Sequence, residues 1–390
     1  MDRSTRVKSA IAVAVSVIAS SGVIGSARAD YAPSGTDVVG VGAETLNFTM
    51  DFLADGDTAG NVGYNAANNV NKLVSFDSTG DANARNSYQN NSTYAAPKPL
   101  NPTVVLRAGT FPVQRPTTTA TSYAAILADT GVPHKIDFIK AIGLPTAANQ
   151  SLAASNGWQY LHIVKIGSDP LQVIGSTSTN APAGLTTAQL VQIYSGSIKR
   201  WVDIPGYSGP ATDTDFIQPL ITPVGAGTRN TFLANLKTAN GGVDVVLDGG
   251  VQTVEPNDPT DITGLGANAK NAIMPFAVGR LALYNGYFHN PATPFPGGAP
   301  LTAGVKALTG APAGGGTAYS TTIGIYIAFR QTDTALGPWQ PGSTKNWVQT
   351  LFSDPGPTGS PFVKKAAGQS LIAASGIAPT YDDQGNVSAG

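Results

Sequence analysis

The chain has 390 residues, no cysteine, three histidines and a formal net charge of −1. The lack of cysteine excludes thiol catalysis, disulfides and cysteine metal sites, and three separated histidines make a zinc site unexpected. An acidic chain also lacks the basic face that a nucleic-acid partner requires. We therefore expect no cofactor, no metal and no nucleic-acid partner.

The first 29 residues have the pattern of a secretory signal peptide. A basic start is followed by an apolar stretch, residues 9–25, and by the small-x-small motif Ala27-Arg28-Ala29. An uncleaved membrane anchor is the alternative, but this stretch is at the short end for a membrane span. Removing this segment, whose net charge is +3, leaves a mature chain of about −4. Because no cysteine is available for a lipid anchor, we expect a soluble periplasmic or secreted protein, cleaved after Ala29.

Strand-like and helix-like runs alternate along the mature chain, which predicts an α/β fold. The predicted strands are residues 38–42, 72–76, 103–107, 160–166, 171–174, 216–224 and 323–329. The predicted helices are residues 46–53, 123–128, 187–194, 228–240 and 361–374, and one more helix that Ser343 or Thr344 would cap. Residues 54–71, 84–102 and 291–317 are predicted to be mainly loops.

The sharpest local feature is a strand that runs into the turn Gly225-Ala226-Gly227-Thr228-Arg229 at the start of a helix. Glycines allow backbone N–H groups to converge, and a helix N-terminus adds partial positive charge. The Thr228 hydroxyl and the planar Arg229 guanidinium are further donors. Such a turn suits a tetrahedral oxyanion, although a tight turn with a capping threonine is the simpler alternative.

Two further turns have similar chemistry. Arg115 precedes a threonine-rich helix start that includes Thr118 and Thr119, and these hydroxyls could donate to an anion or simply cap the helix. The glycine turn after the first strand contains Thr45, but its neighbour Glu44 would repel an oxyanion unless one of the two were protonated.

The sequence shows no catalytic pattern beside these turns. The Gly-x-Ser-x-Gly motif is absent, and no nucleophile lies in a recognisable pattern with a base. We therefore expect a binding protein rather than an enzyme, with a secreted hydrolase as a minor alternative.

Several segments, in order, resemble the phosphate-binding proteins of bacterial ABC transporters. The strongest match is LTTAQLVQIYSG at residues 185–196, followed by Ile198 and Trp201, and the turn 225–229 is similar to that family's phosphate loop. Weaker similarities occur at residues 39–45, 71–80, 115–119, 137–140 and 272–280.

This resemblance implies a two-lobed type II periplasmic-binding-protein fold, with mixed sheets flanked by helices and a ligand cleft between the lobes. Lobe one would be residues 30–170 plus 281–390, and lobe two residues 171–280. The protein would bind phosphate or a related oxyanion as a monomer and deliver it to an ABC permease in the inner membrane. The implied ligand-binding residues are Thr45, Arg115, Thr118, Thr119, Gly225, Ala226, Gly227, Thr228 and Arg229.

The sequence also departs from the family pattern at the ligand. The family's loop serine is Ala226 here, its arginine falls at Thr222, and its proton-accepting aspartate falls near Ile142. Its Gly-Ser-Ser loop has become Thr118-Thr119-Ala120. A different ligand, or an interaction role on the same fold, is therefore the alternative function.

We expect the exported protein to begin at Asp30, because signal peptidase cleaves after the small-x-small motif. Intact-mass measurement and N-terminal sequencing of the secreted or periplasmic protein test this. Retention of the first 29 residues would instead support a membrane anchor.

Overall fold

The computed structural model describes residues 32–389 apart from 58, 68, 79–102, 117, 255–258, 284–303 and 357. The predicted signal peptide and parts of the predicted loops therefore lie outside the described residues. The described part of the chain contains twelve β-strands and nine α-helices.

The strands alternate with helices along the chain. They are β1 Val38–Gly42, β2 Leu73–Ser75, β3 Thr103–Val104, β4 Val113–Gln114, β5 Phe138–Ala141, β6 Leu161–Ser176, β7 Gln218–Ile221, β8 Gln252–Thr253, β9 Ala272–Ala277, β10 Val305–Ala307, β11 Ser320–Arg330 and β12 Ala378–Gly385. The helices are α1 Asn47–Asp55, α2 Thr119–Ala128, α3 Ala147–Ser155, α4 Thr187–Tyr194, α5 Gly227–Ala239, α6 Thr260–Thr263, α7 Val278–Leu283, α8 Trp347–Leu351 and α9 Ala366–Ala374.

Ten strands form one mixed sheet in the order β2-β1-β5-β11-β6-β9-β7-β8, with β10 and β12 also paired to β6. Strands β2, β1 and β5 are mutually parallel, and so are β9, β7 and β8, whereas β11 and β6 run antiparallel to their neighbours. Helices flank this sheet, so the predicted α/β fold with mixed strand pairing is confirmed. Strands β3 and β4 form a separate small sheet.

Strand β6 belongs to both halves of the sheet. One of its edges pairs with β12 at residues 163–168 and then with β9 at residues 171–175. Its other edge pairs with β11 at residues 161–172 and then with β10 at residues 174–176. The two strands predicted at 160–166 and 171–174 are therefore one strand. The sequence suggested a break because Asp169 and Pro170 interrupt the apolar pattern.

The helix ends show where local side chains decide the boundaries. Thr186, rather than the predicted Thr187, caps α4, since its hydroxyl accepts from the Gln189 amide at 3.1 Å in a capping box. Helix α8 likewise begins one residue after Asn346, rather than after Ser343 or Thr344. In both helices the capping side chain accepts from the amide three residues further along the chain. The predicted caps lie one to three residues away from the position that allows this hydrogen bond.

The lobe boundaries remain a prediction. Within the segment predicted as a loop at 291–317, residues 305–307 form β10 beside the end of β6. The Leu308 amide donates to the Val173 carbonyl at 2.8 Å. This part of the chain therefore contacts residues that the sequence assigned to lobe two.

A polar network fastens the last strand, β12, to β6. His162 Nε2 lies 2.5 Å from Asp383 Oδ1, and His162 Nδ1 lies 2.7 Å from the Gln331 side-chain oxygen. Ser353 donates to the other Asp383 oxygen. Burial opposes the charged imidazolium, but the hydrogen bonds to Asp383 and Gln331 outweigh it and hold the pKa of His162 above its ordinary value.

Replacement of His162 by Gln should therefore lower the free energy of unfolding by about 1–3 kcal/mol at pH 6, where both partners bond to a charged group. A raised folded-state pKa gives stability that is complete below the unfolded pKa and is lost as the pH rises through the folded value. The difference between wild type and variant should shrink between pH 6 and pH 9, as measured by urea unfolding. A difference that does not change with pH would show that His162 acts only through packing.

Candidate functional site

The candidate site lies at one edge of the sheet, where the parallel strands β2, β1 and β5 end. In open α/β sheets this carboxyl edge is the usual place for a ligand. After β1 the chain turns at Gly42, whose φ is +136° and whose absent Cβ would lie 2.4 Å from the Lys140 carbonyl oxygen. Only glycine fits this close approach, so the turn brings Glu44 and Thr45 over the strand ends.

The N-terminus of α2 is tied to the end of β5. Thr118 caps the helix, with its hydroxyl accepting from the Thr121 amide at 3.2 Å. The Thr119 hydroxyl accepts from the Ile142 amide at 3.1 Å, which leaves its own hydrogen available for donation. Both predicted hydroxyls are thus buried at a helix start, and the Thr118 oxygen already has a capping role.

The N-terminus of α5 approaches these groups very closely. A Cβ at Gly225, whose φ is +88°, would lie 3.2 Å from the Thr118 hydroxyl oxygen. A Cβ at Gly227 would lie 2.3 Å from Ile142 Cγ1. The glycine turn and the threonine-rich helix start, which are more than 100 residues apart in sequence, therefore meet at one place.

Thr228 and Arg229, two other predicted residues of this turn, both form hydrogen bonds with Thr222, which precedes the turn. The hydroxyl oxygens of Thr228 and Thr222 lie 3.1 Å apart, and Arg229 Nη1 donates to the Thr222 carbonyl at 2.9 Å. Burial lowers the pKa of Arg229. Its guanidinium is therefore held beside the turn, with further donors remaining on the planar group.

Arg115 lies beside Phe76 and Asp77, the two residues that follow β2. Its Nη1 donates to the Asp77 carbonyl at 2.9 Å, and its guanidinium carbon is 5.8 Å from the centre of the Phe76 ring. The side chain is almost fully buried. Since a guanidinium is costly to bury, this hydrogen bond and further interactions of Arg115 offset the cost.

The sequence analysis missed a buried lysine beneath this edge. Lys140 Nζ donates to Asn47 Oδ1 at 2.7 Å and to the Phe76 carbonyl at 3.1 Å. Burial lowers the pKa of Lys140 to about 8, with Asp77 and Asp51 opposing. Burial and the neighbouring Asp77 raise the pKa of Asp51 to about 7. Both of these groups therefore change charge close to neutral pH.

Ser78 is a second residue that the sequence analysis missed. It lies three residues after the end of β2, and its buried hydroxyl makes no hydrogen bond within the described part of the chain. Residues 71–80 resemble a strand segment of the phosphate-binding family, but no local pattern distinguishes Ser78 within them. Thr45, Ser78 and Thr119 together supply hydroxyls at the ends of β1, β2 and β5.

Ile142 occupies the junction between the two helix starts. Its amide bonds to Thr119, and its side chain contacts Gly227 at the first position of α5. The group that faces this helix N-terminus from β5 is thus a hydrocarbon. This agrees with the departure noted in the sequence, where a carboxylate would be expected from the resemblance.

No group of three or more His, Cys, Asp or Glu side chains within the described ranges is placed to hold a metal ion. None of the described helices is long and apolar enough to cross a membrane.

The mixed α/β sheet flanked by helices matches the two-lobed fold of PBP-like binding proteins. Residues 32–354 match the family model of the PBP superfamily domain, and the chain belongs to that family of binding proteins rather than to the enzymes. A search of curated proteins found no match.

Several solved structures can be aligned with most of this chain, at low sequence identity and with TM-scores below 0.5. A substrate-binding protein from Clostridium perfringens, assigned to a phosphate ABC transporter and crystallised with phosphate, has 14% identity and a TM-score of 0.49, over 88% of this chain and 99% of that one. An ABC-type phosphate transport receptor from Vibrio cholerae has 14% identity and a TM-score of 0.42, over 88% and 99%. A phosphate-binding protein from Stenotrophomonas maltophilia has 11% and 0.45, over 88% and 90%.

The contact between Gly227 and Ile142 leads to a prediction about stability. Alanine favours a helix more than glycine does, but the added methyl group in Gly227→Ala would overlap Ile142 and should destabilise the protein by about 1–3 kcal/mol. In an Ile142→Ala background the same change should cost much less. Urea unfolding of the two single variants and the double variant measures this coupling.

The matched control is Gly249→Ala, because a Cβ at Gly249 meets no atom within 4 Å. We expect this change to be close to neutral. An equal cost for Gly227→Ala with and without Ile142 would show that the two sites do not touch.

Proposed function

We propose that this protein is an exported solute-binding protein that holds phosphate or a related tetrahedral oxyanion for ABC-type uptake. The observation that carries the proposal is the meeting of the α2 and α5 N-termini, because a Cβ at Gly225 would lie 3.2 Å from the Thr118 hydroxyl oxygen. Each helix start carries partial positive charge and unbonded amides, so two of them facing one space favour an anion.

The surrounding side chains support the same ligand class. The hydroxyls of Thr45, Ser78 and Thr119 are buried at the strand ends, and hydroxyl donors suit the oxygens of an oxyanion. Arg115 and Arg229 lie on the two sides of the junction and could each contribute a charge-assisted hydrogen bond. In this proposal they compensate for the arginine and serine that the family has at Thr222 and Ala226.

Access to the site requires movement. Ile142 contacts Gly227 directly, so an anion reaches the N-terminus of α5 only after the two helix starts separate. Opening and closing of two lobes about a hinge is a common motion of this kind. In this proposal the cleft opens for the ligand, and Ile142 shifts away from the α5 N-terminus when the ligand binds.

The second candidate function is binding of a different ligand on the same fold. Ile142 favours it, because a hydrocarbon at the junction suits an organic anion with an apolar face better than it suits hydrogen phosphate, whose buried proton needs an acceptor. A periplasmic or secreted interaction role is a further form of this alternative.

The proposed location is outside the cytoplasm, after cleavage of the signal peptide behind Ala29. The proposed partner is a permease in the inner membrane, and the proposed oligomeric state is a monomer.

Equilibrium dialysis of the mature chain against radiolabelled phosphate and sulfate tests the proposal. We expect saturable binding of at least one anion well below ~100 μM, since that concentration corresponds to only about 5.5 kcal/mol of binding free energy. Competition with unlabelled phenylphosphonate separates an organic anion from an inorganic one. Absence of saturable binding up to ~100 μM for every probe would refute the oxyanion function.

The variant Arg229→Ala should weaken binding by about tenfold or more, because a hydrogen bond to a charged group contributes about 1.5–3 kcal/mol. Arg200→Ala is the matched control, since Arg200 pairs with Asp203 on the surface and away from the turn. Equal loss of affinity in both variants would point to general electrostatics. Unchanged affinity in Arg229→Ala would place the ligand elsewhere.

A further inference from the structure

Asp169 lies at the point where β6 exchanges its partners. The edge strand β12 pairs with β6 as far as Ser168, and β9 takes over from Leu171. On the opposite edge Asp169 is in register with Ile323 of β11. A charged residue at this place is unexpected, because the middle of a long strand in a mixed sheet is normally apolar.

The carboxyl group of Asp169 is fully buried and only partly bonded. Its Oδ1 accepts from the Gly279 amide at 2.8 Å, and the Val278 amide also acts to lower the pKa of the carboxyl group. Its Oδ2 makes no hydrogen bond within the part of the chain that the structure describes. Asp169 thus holds the beginning of α7, directly after β9, against the middle of β6.

The backbone packs closely around this contact. A Cβ at Gly279 would lie 2.9 Å from Asp169 Oδ2 and 2.4 Å from the Gly376 carbonyl oxygen. Gly376, which follows α9, therefore closes the other side of the Gly279 backbone. The unbonded Oδ2 is therefore buried beside the Gly279 backbone.

The charges nearby do not compensate for this burial. Helix α7 carries one charged residue, Arg280. Its guanidinium carbon lies 4.0 Å from the centre of the Phe48 ring, and its charge acts to lower the pKa of Asp51. On β6 the nearest charged residue in sequence is Lys165, four positions from Asp169, and Lys165 is paired with Asp382 of β12. The neighbouring strands β9 and β11 present apolar residues, such as Ile323, which is in register with Asp169. Burial therefore dominates and raises the pKa of Asp169 to about 7, although the two amides act in the opposite direction.

We infer that Asp169 is a proton-operated lock, meaning that its protonation state sets whether the two parts of the sheet stay packed together. One part contains β11 and β12, which pair with the first part of β6, and the other contains β9 and β10, which pair with its last part. When the carboxyl group is protonated, the packed arrangement of β6, the start of α7 and Gly376 is favoured. When it is ionised, an arrangement in which these elements separate and water reaches Oδ2 becomes more favourable, because an unpaired buried carboxylate is costly. This inference concerns movement of the two parts and does not depend on which ligand the protein binds.

The direction of the effect follows from linkage. A group that binds its proton more tightly in the packed state than in the opened, hydrated state shifts the balance towards opening as the pH rises. The shift is complete above the packed-state pKa and vanishes below the ordinary pKa of aspartate. Mildly acidic conditions should therefore hold the protein packed, and mildly alkaline conditions should open it.

Hydrogen exchange at the Gly279 amide measures the opening, because that amide bonds to Asp169. After correction for the intrinsic exchange rate, wild-type exchange should be about tenfold faster at pH 8 than at pH 5.5. In Asp169→Asn, a neutral isostere, the corrected rate should be the same at both pH values. Asp333→Asn is the matched control, since burial also raises the pKa of Asp333 to about 7 but Asp333 lies beside Arg330, away from this contact.

Distances between the two parts of the molecule provide a second measurement. The chain has no cysteine, so Thr130→Cys and Thr238→Cys, both at exposed positions, would carry the only two spin labels. The distance distribution should change between pH 5.5 and pH 8 in the wild-type background and in Asp333→Asn. In Asp169→Asn it should stay at the pH 5.5 distribution.

The lock would be refuted if wild-type exchange and distances do not depend on pH, or if their dependence persists in Asp169→Asn. Should that variant fail to fold, the carboxyl carbon of Asp169 can be titrated by NMR in the wild-type protein. An ordinary aspartate pKa would then overturn the inference, and a titration that coincides with Gly279 exchange would support it. All of these experiments are done without ligand, so they stand apart from the oxyanion test.

Discussion

A β-strand has only two edges, and in this protein β6 divides each of them between two partners. Its first part pairs with β11 and β12, and its last part pairs with β9 and β10. This single strand of 16 residues therefore holds both halves of the sheet in register. The positions of the helices that begin at the sheet edges, and of the site between them, depend on it.

The candidate site depends on close backbone approach more than on any one charged side chain. Gly42, Gly225 and Gly227 each occupy a place where a Cβ would meet another group at about van der Waals contact or closer. They bring two helix N-termini and three strand ends together. The fold thus supplies partial charges and amides at one junction, while the side chains around it are hydroxyl groups and the hydrocarbon of Ile142.

Much of the fold could be predicted from the sequence, because its signals are local. The capped and glycine-terminated helix at 187–194 and the strands at 38–42 and 323–329 were correctly located, since apolar periodicity and turn residues determine them. The continuity of β6 through Asp169 and Pro170 could not be predicted, because it is imposed by neighbouring strands. Tertiary pairing there overrides a local pattern that indicates a break.

The candidate site, like the fold, could be predicted only where its signals are local in the sequence. The glycine turn and the threonine-rich helix start were recognisable as anion-binding candidates, but nothing local indicated that Gly225 faces Thr118. Lys140 and Ser78 were missed for a related reason, because a buried lysine in a strand and a serine after a strand have no distinctive spacing. Their significance comes from burial and from missing or shared partners, which only the three-dimensional structure reveals.

The contact between His162 and Asp383 joins residues that are 221 positions apart. Among the described strands β12 comes latest in the sequence, so β6 acquires its full set of partners only when a segment about 200 residues further along the chain is available. Native contacts of such long range make folding slow, since the entropy of closing the chain is lost before the contacts form.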